Sequence, residues 1–189
     1  MSITLQQLYE KIVPLVGKHI CSPLTKNKGA TGLLLETITG IPHTPNCLDC
    51  SDGELKTFPI KKRKDGSFLP KETIAVTMLC EDSLKTCSYQ ESRCAKKMNR
   101  VIFVPYLREG EMITYFKPVL WEAEKQQEIC RQLQEDYQTI QTMYVNEKIL
   151  KSEVGKYLQT RTKGAGHGST SRAFYLRTCF LKEHIPIHL

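Results

Sequence analysis

The segment that most constrains the fold is residues 49–60, which reads Asp-Cys-Ser-Asp-Gly-Glu-Leu-Lys-Thr-Phe-Pro-Ile. It begins with turn formers, two aspartates and a glycine, and continues into an apolar run, so it predicts a turn followed by a β-strand. Successive strand side chains point to opposite faces. We therefore expect Leu55 to lie in a core, while Glu54 and Lys56 project together from the other face.

A carboxylate and a lysine on one strand face, beside a turn with another carboxylate, are typical of a metal site. Mg²⁺ takes oxygen ligands and keeps several waters, so two carboxylates and a carbonyl suffice to bind it. A neighbouring lysine can hold a phosphate oxygen or orient an attacking water. A Glu-x-Lys pair on a strand is far more often a solvated face than a catalytic pair, so this interpretation depends on the rest of the chain.

Length and charge limit the class of protein. A chain of 189 residues is expected to form a single domain, residues 1–189. Its formal net charge of +7 favours a polyanionic partner such as a nucleic acid. No apolar run approaches the ~20 residues that span a bilayer, and no signal-peptide pattern begins the chain. These features predict a cytoplasmic protein without membrane contact.

The eight cysteines are expected to be reduced thiols, because a cytoplasmic chain of this length rarely depends on disulfides. Cys47 and Cys50 have the spacing of zinc ligands, but the chain has no second Cys-x-x-Cys pair. We interpret the cysteines mainly as small apolar core residues, with a structural zinc site as the alternative.

Hydrophobic periodicity predicts the main elements. Helices are expected at residues 3–18, with a break at Pro14, at 33–39 and at about 119–150; strands are expected at 73–79, 100–106, 112–116 and 156–161. Residues 61–67 read as a hairpin turn whose basic flank is either solvated or a phosphate contact. On the second helix, Glu36 lies among leucines and is either exposed at an edge or held beside a metal or cation.

The C-terminal part, about residues 155–189, is strongly basic. Between Lys156 and the end of the chain, Glu183 is the only acidic residue. A Gly-rich segment, residues 164–169, lies within this part. Basic side chains around such a segment suit DNA binding, because phosphate contacts supply affinity and an adaptable loop can enter a groove.

Five blocks follow one another along the chain. They are Lys-Gly-Ala-Thr-Gly-Leu-Leu-Leu-Glu at 28–36, Glu-Leu-Lys-Thr-Phe-Pro at 54–59, Lys-Met-Asn-Arg-Val-Ile-Phe-Val-Pro at 97–105, Tyr-Leu-Gln-Thr-Arg-Thr-Lys at 157–163 and Arg-Ala-Phe-Tyr-Leu at 172–176. In this order they resemble segments of the MutH mismatch-repair endonuclease family and of related GATC-cutting restriction endonucleases.

The resemblance implies an α/β fold of the restriction-endonuclease-like PD-(D/E)xK type, a mixed β-sheet flanked by helices. It implies that Asp49 and Glu54 bind the metal and that Lys56 acts on the attacking water. Glu36 and Lys97 complete the catalytic set. The residues that the resemblance assigns to DNA binding are Lys28, Arg161, Lys163, Arg172 and Tyr175.

Two departures from the family pattern affect these assignments. Only four residues separate Asp49 from Glu54, which is a shorter spacer than in the family, so Asp52 is an alternative metal ligand. We prefer Asp49, because Asp52 directly precedes Gly53 and leaves too little chain to fold back towards Glu54. The loop between Lys163 and Arg172 is also shorter than in the family.

The sequence thus predicts a Mg²⁺-dependent endonuclease of double-stranded DNA that cuts at GATC, with Mn²⁺ able to replace Mg²⁺. A type II restriction endonuclease, acting as a homodimer on a palindromic site, is the preferred form. The alternatives are a MutH-like nicking endonuclease of mismatch repair and a non-catalytic DNA-binding module of the same fold.

Overall fold

The computed structural model of the chain describes residues 3–24, 29–42, 47–163 and 171–189. Lys28 and the Gly-rich segment at 164–169 lie outside these residues. The helices are α1 Leu5–Ile12, α2 Ala30–Thr39, α3 Glu81–Thr86, α4 Arg93–Met98, α5 Gln127–Glu147 and α6 Thr178–His184. The strands are β1 His19–Cys21, β2 Glu54–Lys62, β3 Phe68–Pro70, β4 Ile74–Met78, β5 Arg100–Glu109, β6 Met112–Tyr115, β7 Val119–Glu122, β8 Leu158–Thr162 and β9 Arg172–Leu176.

The described chain divides into two compact units. The first unit comprises Met1–Glu72, Arg100–Trp121 and Lys182–Leu189, and the second comprises Thr73–Asn99 and Glu122–Leu181. The single-domain organisation expected from chain length stays a prediction. None of the helices in the described ranges has the length and apolar character needed to cross a membrane.

Local sequence sets the bounds of the two helices in the first unit. Thr4 caps α1 by accepting the backbone N–H of Gln7, and the Gln7 side chain accepts the N–H of Thr4 in return. The predicted break at Pro14 is confirmed, since α1 gives way there to a single 3₁₀ turn.

The second predicted helix is also confirmed and begins three residues earlier than expected. It ends at Gly40, whose φ of 73° suits a residue without a Cβ.

The sheet of the first unit is mixed, as predicted. Its strand order is β1-β6-β5-β2-β3, with β7 also paired to β5. The β2 and β5 strands run parallel, whereas β1 with β6, β5 with β6 and β2 with β3 are antiparallel. Helices α1 and α2 flank this sheet, and Leu8, Leu35, Leu55 and Ile102 share the resulting core. The predicted α/β class is therefore confirmed.

The second unit contains an antiparallel sheet of order β4-β9-β8. On helix α5, the apolar residues Leu133, Tyr137, Ile140 and Tyr144 form a buried stripe. Tyr137 stacks on Phe174 of β9 with ring centroids 5.4 Å apart. The spacing of this stripe fits the hydrophobic periodicity from which the helix was predicted.

One element prediction was wrong at its start. The helix expected from about residue 119 begins at Gln127, and residues before it form strand β7. The reason lies in Trp121, which is 3% exposed in a strand that pairs with β5. A bulky apolar residue gained more from sheet packing than from continuing a helix.

All eight cysteines are free thiols, in agreement with the expected reduced state. Their interpretation as core residues holds for only two of them, Cys50 and Cys94, which are buried. Cys21 and Cys80 are exposed, and the remaining four are half-buried. Burial raises the pKa of Cys94 to about 12, whereas hydrogen bonds from Ser83 and from the backbone of Asp82 lower the pKa of Cys80.

This contrast predicts selective alkylation. A lowered pKa enlarges the thiolate fraction at neutral pH, so iodoacetamide should modify Cys80 far faster than Cys94. Peptide mass spectrometry over a time course at pH 7 measures both rates. Ser83→Ala should slow labelling of Cys80 towards the rate of the exposed Cys21. Equal labelling of Cys80 and Cys94 in the folded protein would contradict the prediction.

Candidate active site

The turn before β2 contains Gly53, and any other residue at this position would force neighbouring atoms to shift. A Cβ on Gly53 would lie 2.6 Å from the carbonyl oxygen of Arg100 and 2.3 Å from Leu5 Cδ1. The carbonyl of Gly53 accepts the N–H of Cys50 at 2.9 Å, which closes the turn. The turn therefore packs tightly against α1 and the start of β5, and β2 leaves it in a fixed direction.

Glu54 and Lys56 lie on the same face of β2, as the strand pattern predicted. Glu54 is 1% exposed, and Lys56 Nζ donates to Glu54 Oε1 at 2.5 Å. The residues opposite them on the parallel strand β5 are Val101 and Phe103, both fully buried. A carboxylate in such apolar surroundings is costly unless a cation or hydrogen bonds offset its charge. Lys56, with 18% of its side chain exposed, is one such cation.

The two aspartates of the turn make different contacts. Asp49 Oδ2 accepts the backbone N–H of Leu55 at 3.0 Å, so its carboxylate lies beside the first residues of β2. Asp52 uses both oxygens elsewhere: Oδ1 accepts the N–H of Leu5 at 2.8 Å and Oδ2 accepts from Arg100 Nη1 at 2.5 Å. Asp52 thus joins the turn to α1 and β5.

The pKa of the Cys50 thiol reflects the negative charge of the carboxylates at this turn. Burial, and after it the nearby carboxylates of Asp49, Asp52 and Glu54 in that order, together raise its pKa to about 12. The thiol is therefore protonated at neutral pH.

The donor set fits a hard divalent cation that keeps part of its hydration shell. Across the described residues, no three His, Cys, Asp or Glu side chains are grouped so that they would hold an ion by themselves. Asp49 and Glu54 supply carboxylate oxygens, and Mg²⁺ commonly binds to one or two carboxylates with water and other oxygens completing its shell. The residues present are therefore compatible with magnesium and do not form a closed metal cage.

Helix α2 carries Glu36, which is half-buried. The start of this helix is fixed by two long side chains: Arg108 Nη2 donates to Thr31 Oγ1 at 3.2 Å, and the Tyr115 hydroxyl donates to the Thr31 carbonyl at 3.0 Å. One turn of the helix lies against β2, because a Cβ on Gly32 would be 3.2 Å from Thr57 Oγ1. Glu36 is thus presented by a helix that packs on the strand of Glu54.

The remaining predicted site residues belong to the second unit, apart from Lys28, which lies outside the described residues. Lys97 is half-buried in the last turn of α4. Arg161 is exposed on β8, and its Nη1 donates to Thr73 Oγ1 at 3.0 Å. Lys163 follows β8 and is exposed, and its N–H extends the ladder by donating to the Ser171 carbonyl at 2.8 Å.

The register of β8 and β9 determines which of these side chains share a face. Gln159 pairs with Tyr175 and Arg161 pairs with Ala173, so Arg161 and Tyr175 lie on one face of the sheet. Arg172 pairs with Thr162 and lies on the other face. The predicted DNA-binding residues on β8 and β9 are therefore divided between two faces.

Two carboxylates with structural roles were missed in the sequence. Asp52 was weighed only as a metal ligand, and its bonds to Leu5 and Arg100 span 47 and 48 residues, which no local pattern reveals. Asp136 was overlooked on α5, where it is 3% exposed. A signal was available for it, because Asp136 lies three residues after Leu133 and so falls on the apolar stripe of the helix.

A solved structure resembles the chain over nearly its full length. The structure is described as a restriction endonuclease MvaI–cognate DNA substrate complex; it is 15% identical, with a TM-score of 0.49, over 99% of this chain and 98% of that one.

Comparison with protein families and curated sequences gives a consistent match. A family profile described as DNA mismatch repair enzyme MutH matches residues 45–136. The DNA mismatch repair protein MutH of Shewanella sp. (strain ANA-3) is 29% identical over 147 residues, covering 67% of this chain but only 63% of that protein. The MutH of Klebsiella pneumoniae (strain 342) is 30% identical over 203 residues, covering 94% of this chain and 84% of that protein. On these matches, the chain belongs to the MutH family.

Proposed function

We propose that the protein is a divalent-metal-dependent endonuclease that hydrolyses phosphodiester bonds of double-stranded DNA. The observation that carries the proposal is the buried Glu54, held against Lys56 on β2 beside the Asp49 carboxylate. A protein that only binds DNA gains nothing from a buried carboxylate near a phosphate path, since the two negative charges repel. This argues against the non-catalytic alternative.

In this proposal Asp49 and Glu54 bind Mg²⁺. When bound, the ion supplies Lewis acidity towards a phosphoryl oxygen and lowers the pKa of water. The choice of Asp49 over Asp52 is supported by the contacts of the two side chains. Both oxygens of Asp52 are engaged by Leu5 and Arg100, so a metal would have to displace a bond that joins the turn to the fold.

Lys56 is proposed to orient the attacking water or to hold a phosphate oxygen. Its ammonium group is a compact donor with three hydrogens on a flexible stem, and it already lies against Glu54. The roles of Glu36 and Lys97 as assisting groups, and of Lys28 as a DNA contact, stay predictions from the resemblance.

The DNA-binding assignments are proposed for the β8 and β9 side chains. Arg161 and Tyr175 share a sheet face, and guanine presents two acceptors in the major groove that suit an arginine. Basic residues contact phosphates more often than bases, so Lys163 and Arg172 are proposed as backbone contacts that add affinity. GATC as the target is supported by the resemblance of the sequence blocks.

One experiment distinguishes a nicking endonuclease from one that cuts both DNA strands. The relatives carry the name of mismatch repair proteins, which supports the MutH-like nicking alternative over the type II restriction endonuclease preferred from sequence. A nicking enzyme converts supercoiled plasmid to open circles and can act as a monomer, whereas a homodimeric restriction enzyme produces linear DNA. Gel analysis of GATC-containing plasmid, methylated and unmethylated, separates the two forms.

The first prediction of this proposal is metal dependence. Cleavage should require Mg²⁺ or Mn²⁺ and stop with EDTA, while Ca²⁺ should support DNA binding without turnover, because it binds oxygen ligands with a looser geometry. Plasmid cleavage and gel-shift assays under each ion provide the measurement. Undiminished cleavage in EDTA would contradict the metal site.

The second prediction separates the two aspartates. Asp49→Asn should abolish cleavage with little loss of stability, since an amide oxygen can still accept the Leu55 N–H. Asp52→Asn should keep cleavage and lower the unfolding free energy by about 1–2 kcal/mol, because its partly exposed ion pair with Arg100 is lost. Thermal melts and plasmid cleavage of both variants decide the point. The assignment fails if Asp52→Asn is inactive while folded and Asp49→Asn cuts normally.

The third prediction concerns sequence recognition. Loss of a base contact in Arg161→Ala or Tyr175→Phe should cost ~1–3 kcal/mol at the target and relax discrimination at one base pair. Lys163→Ala should weaken binding evenly across sequences and reduce its salt dependence. Cleavage of a randomised duplex library measures these preferences, and Arg131→Ala, an exposed arginine on α5, is the control. Unchanged sequence preference in both Arg161→Ala and Tyr175→Phe would place recognition elsewhere.

A further inference from the structure

Asp136 is a buried acid on a helix whose other charged residues are largely exposed. It lies on α5 with 3% of its surface exposed, between the core residues Leu133 and Tyr137. The preceding residue, Glu135, is exposed and carries the same functional group. A buried carboxylate destabilises a fold unless hydrogen bonds or charges offset it. The contacts of Asp136 therefore indicate what it contributes.

The Asp136 carboxylate accepts three consecutive backbone N–H groups. Its Oδ1 accepts from Lys156 at 2.8 Å, and its Oδ2 accepts from Tyr157 at 2.6 Å and from Leu158 at 2.8 Å. The side chain of Gln132 adds a fourth bond, from Nε2 to Oδ1 at 3.1 Å. Such charge-assisted bonds are stronger than bonds between neutral groups.

A glycine shapes the chain around this carboxylate. Gly155 has a φ of +86°, and a Cβ on it would lie 1.9 Å from the Leu158 carbonyl oxygen. The chain therefore turns sharply at Gly155, and the N–H groups of the next three residues converge on Asp136. The carboxylate and the turn together hold the residues that lead into β8.

The strand held in this way is the one that carries Arg161. Arg161 lies three residues beyond Leu158, about 10 Å along an extended strand. Leu158 pairs with Leu176 and Gln159 pairs with Tyr175. A shift of one residue in this register would exchange the two faces of β8, moving Arg161 away from the face of Tyr175.

We infer that Asp136 is a positioning residue that holds β8 in register, so that Arg161 and Tyr175 discriminate between DNA sequences. The inference rests on the proposed function for its DNA component. Its geometric component, the hold on residues 156–158, rests on the hydrogen bonds alone.

The test compares Asp136→Asn with Glu135→Gln, the same chemical change one residue earlier on an exposed side chain. Asparagine has one carbonyl oxygen and cannot accept all three N–H groups. Cleavage of a randomised duplex library with Mg²⁺ should then show preference for the wild-type target reduced about tenfold, comparable to loss of a base contact. Cleavage of non-target sequences should persist, and Glu135→Gln should match the wild type.

A second variant and a second measurement distinguish loss of strand positioning from unfolding of the protein. Gln132→Ala removes only the fourth bond and should reduce target preference in the same direction, by a smaller factor. Hydrogen exchange on folded protein should show faster exchange of the Lys156, Tyr157 and Leu158 amides in Asp136→Asn, with the α5 amides protected.

The outcomes distinguish this inference from the proposed function. A wild-type protein that neither binds nor cleaves DNA overturns the proposed function, and hydrogen exchange still decides whether Asp136 holds the strand. A wild type that is selective, with Asp136→Asn and Gln132→Ala equally selective, overturns the inference alone. Equal loss of cleavage at target and non-target sequences means a purely structural role and also overturns it.

Discussion

The arrangement of the first unit depends on the Asp52 carboxylate and the two groups that it binds. One oxygen accepts the first amide of α1, and the other accepts the guanidinium of Arg100 at the start of β5. A helix N-terminus carries partial positive charge, so both partners complement the charge of the carboxylate. The turn that leads into β2 is thereby fixed between a helix and the parallel strand beside it. This junction therefore sets the direction of β2 and, with it, the face from which the Glu54 and Lys56 side chains project.

Asp49 and Asp52, three residues apart in one turn, thus have different roles. Asp52 is engaged with groups of the fold on both oxygens, whereas Asp49 contacts the backbone of β2 through one oxygen. Asp136 repeats the first pattern in the second unit, where a carboxylate organises backbone amides distant in sequence. The chemistry of an acid in this protein is therefore decided by which donors surround it.

Many of the helices and strands were predictable, because each follows from a local pattern of apolar and polar residues. The alternation around Leu55 predicted the strand and its buried face, and the hydrophobic periodicity around Glu36 predicted a helix. The start of α5 was not predictable in this way, because Trp121 is held in β7 by pairing with a strand that precedes it in the chain. The partners of Asp136 lie 20–22 residues away, so their convergence depends on tertiary structure. The residues of the candidate site were recognised through blocks of sequence, and their contacts became visible only in the fold.

The ends of the sheet in the first unit have a consequence for behaviour at high concentration. The strand order ends in β1 on one side and β3 on the other, each three residues long, and β3 closes with Pro70, which has no N–H to donate. Unpaired strand edges are templates on which a second chain can add its own strand. Short edges, one of them interrupted by a proline and preceded by a lysine-rich hairpin, offer little length for such addition. The two terminal strands of this sheet are thus poor templates for edge-to-edge pairing of two chains.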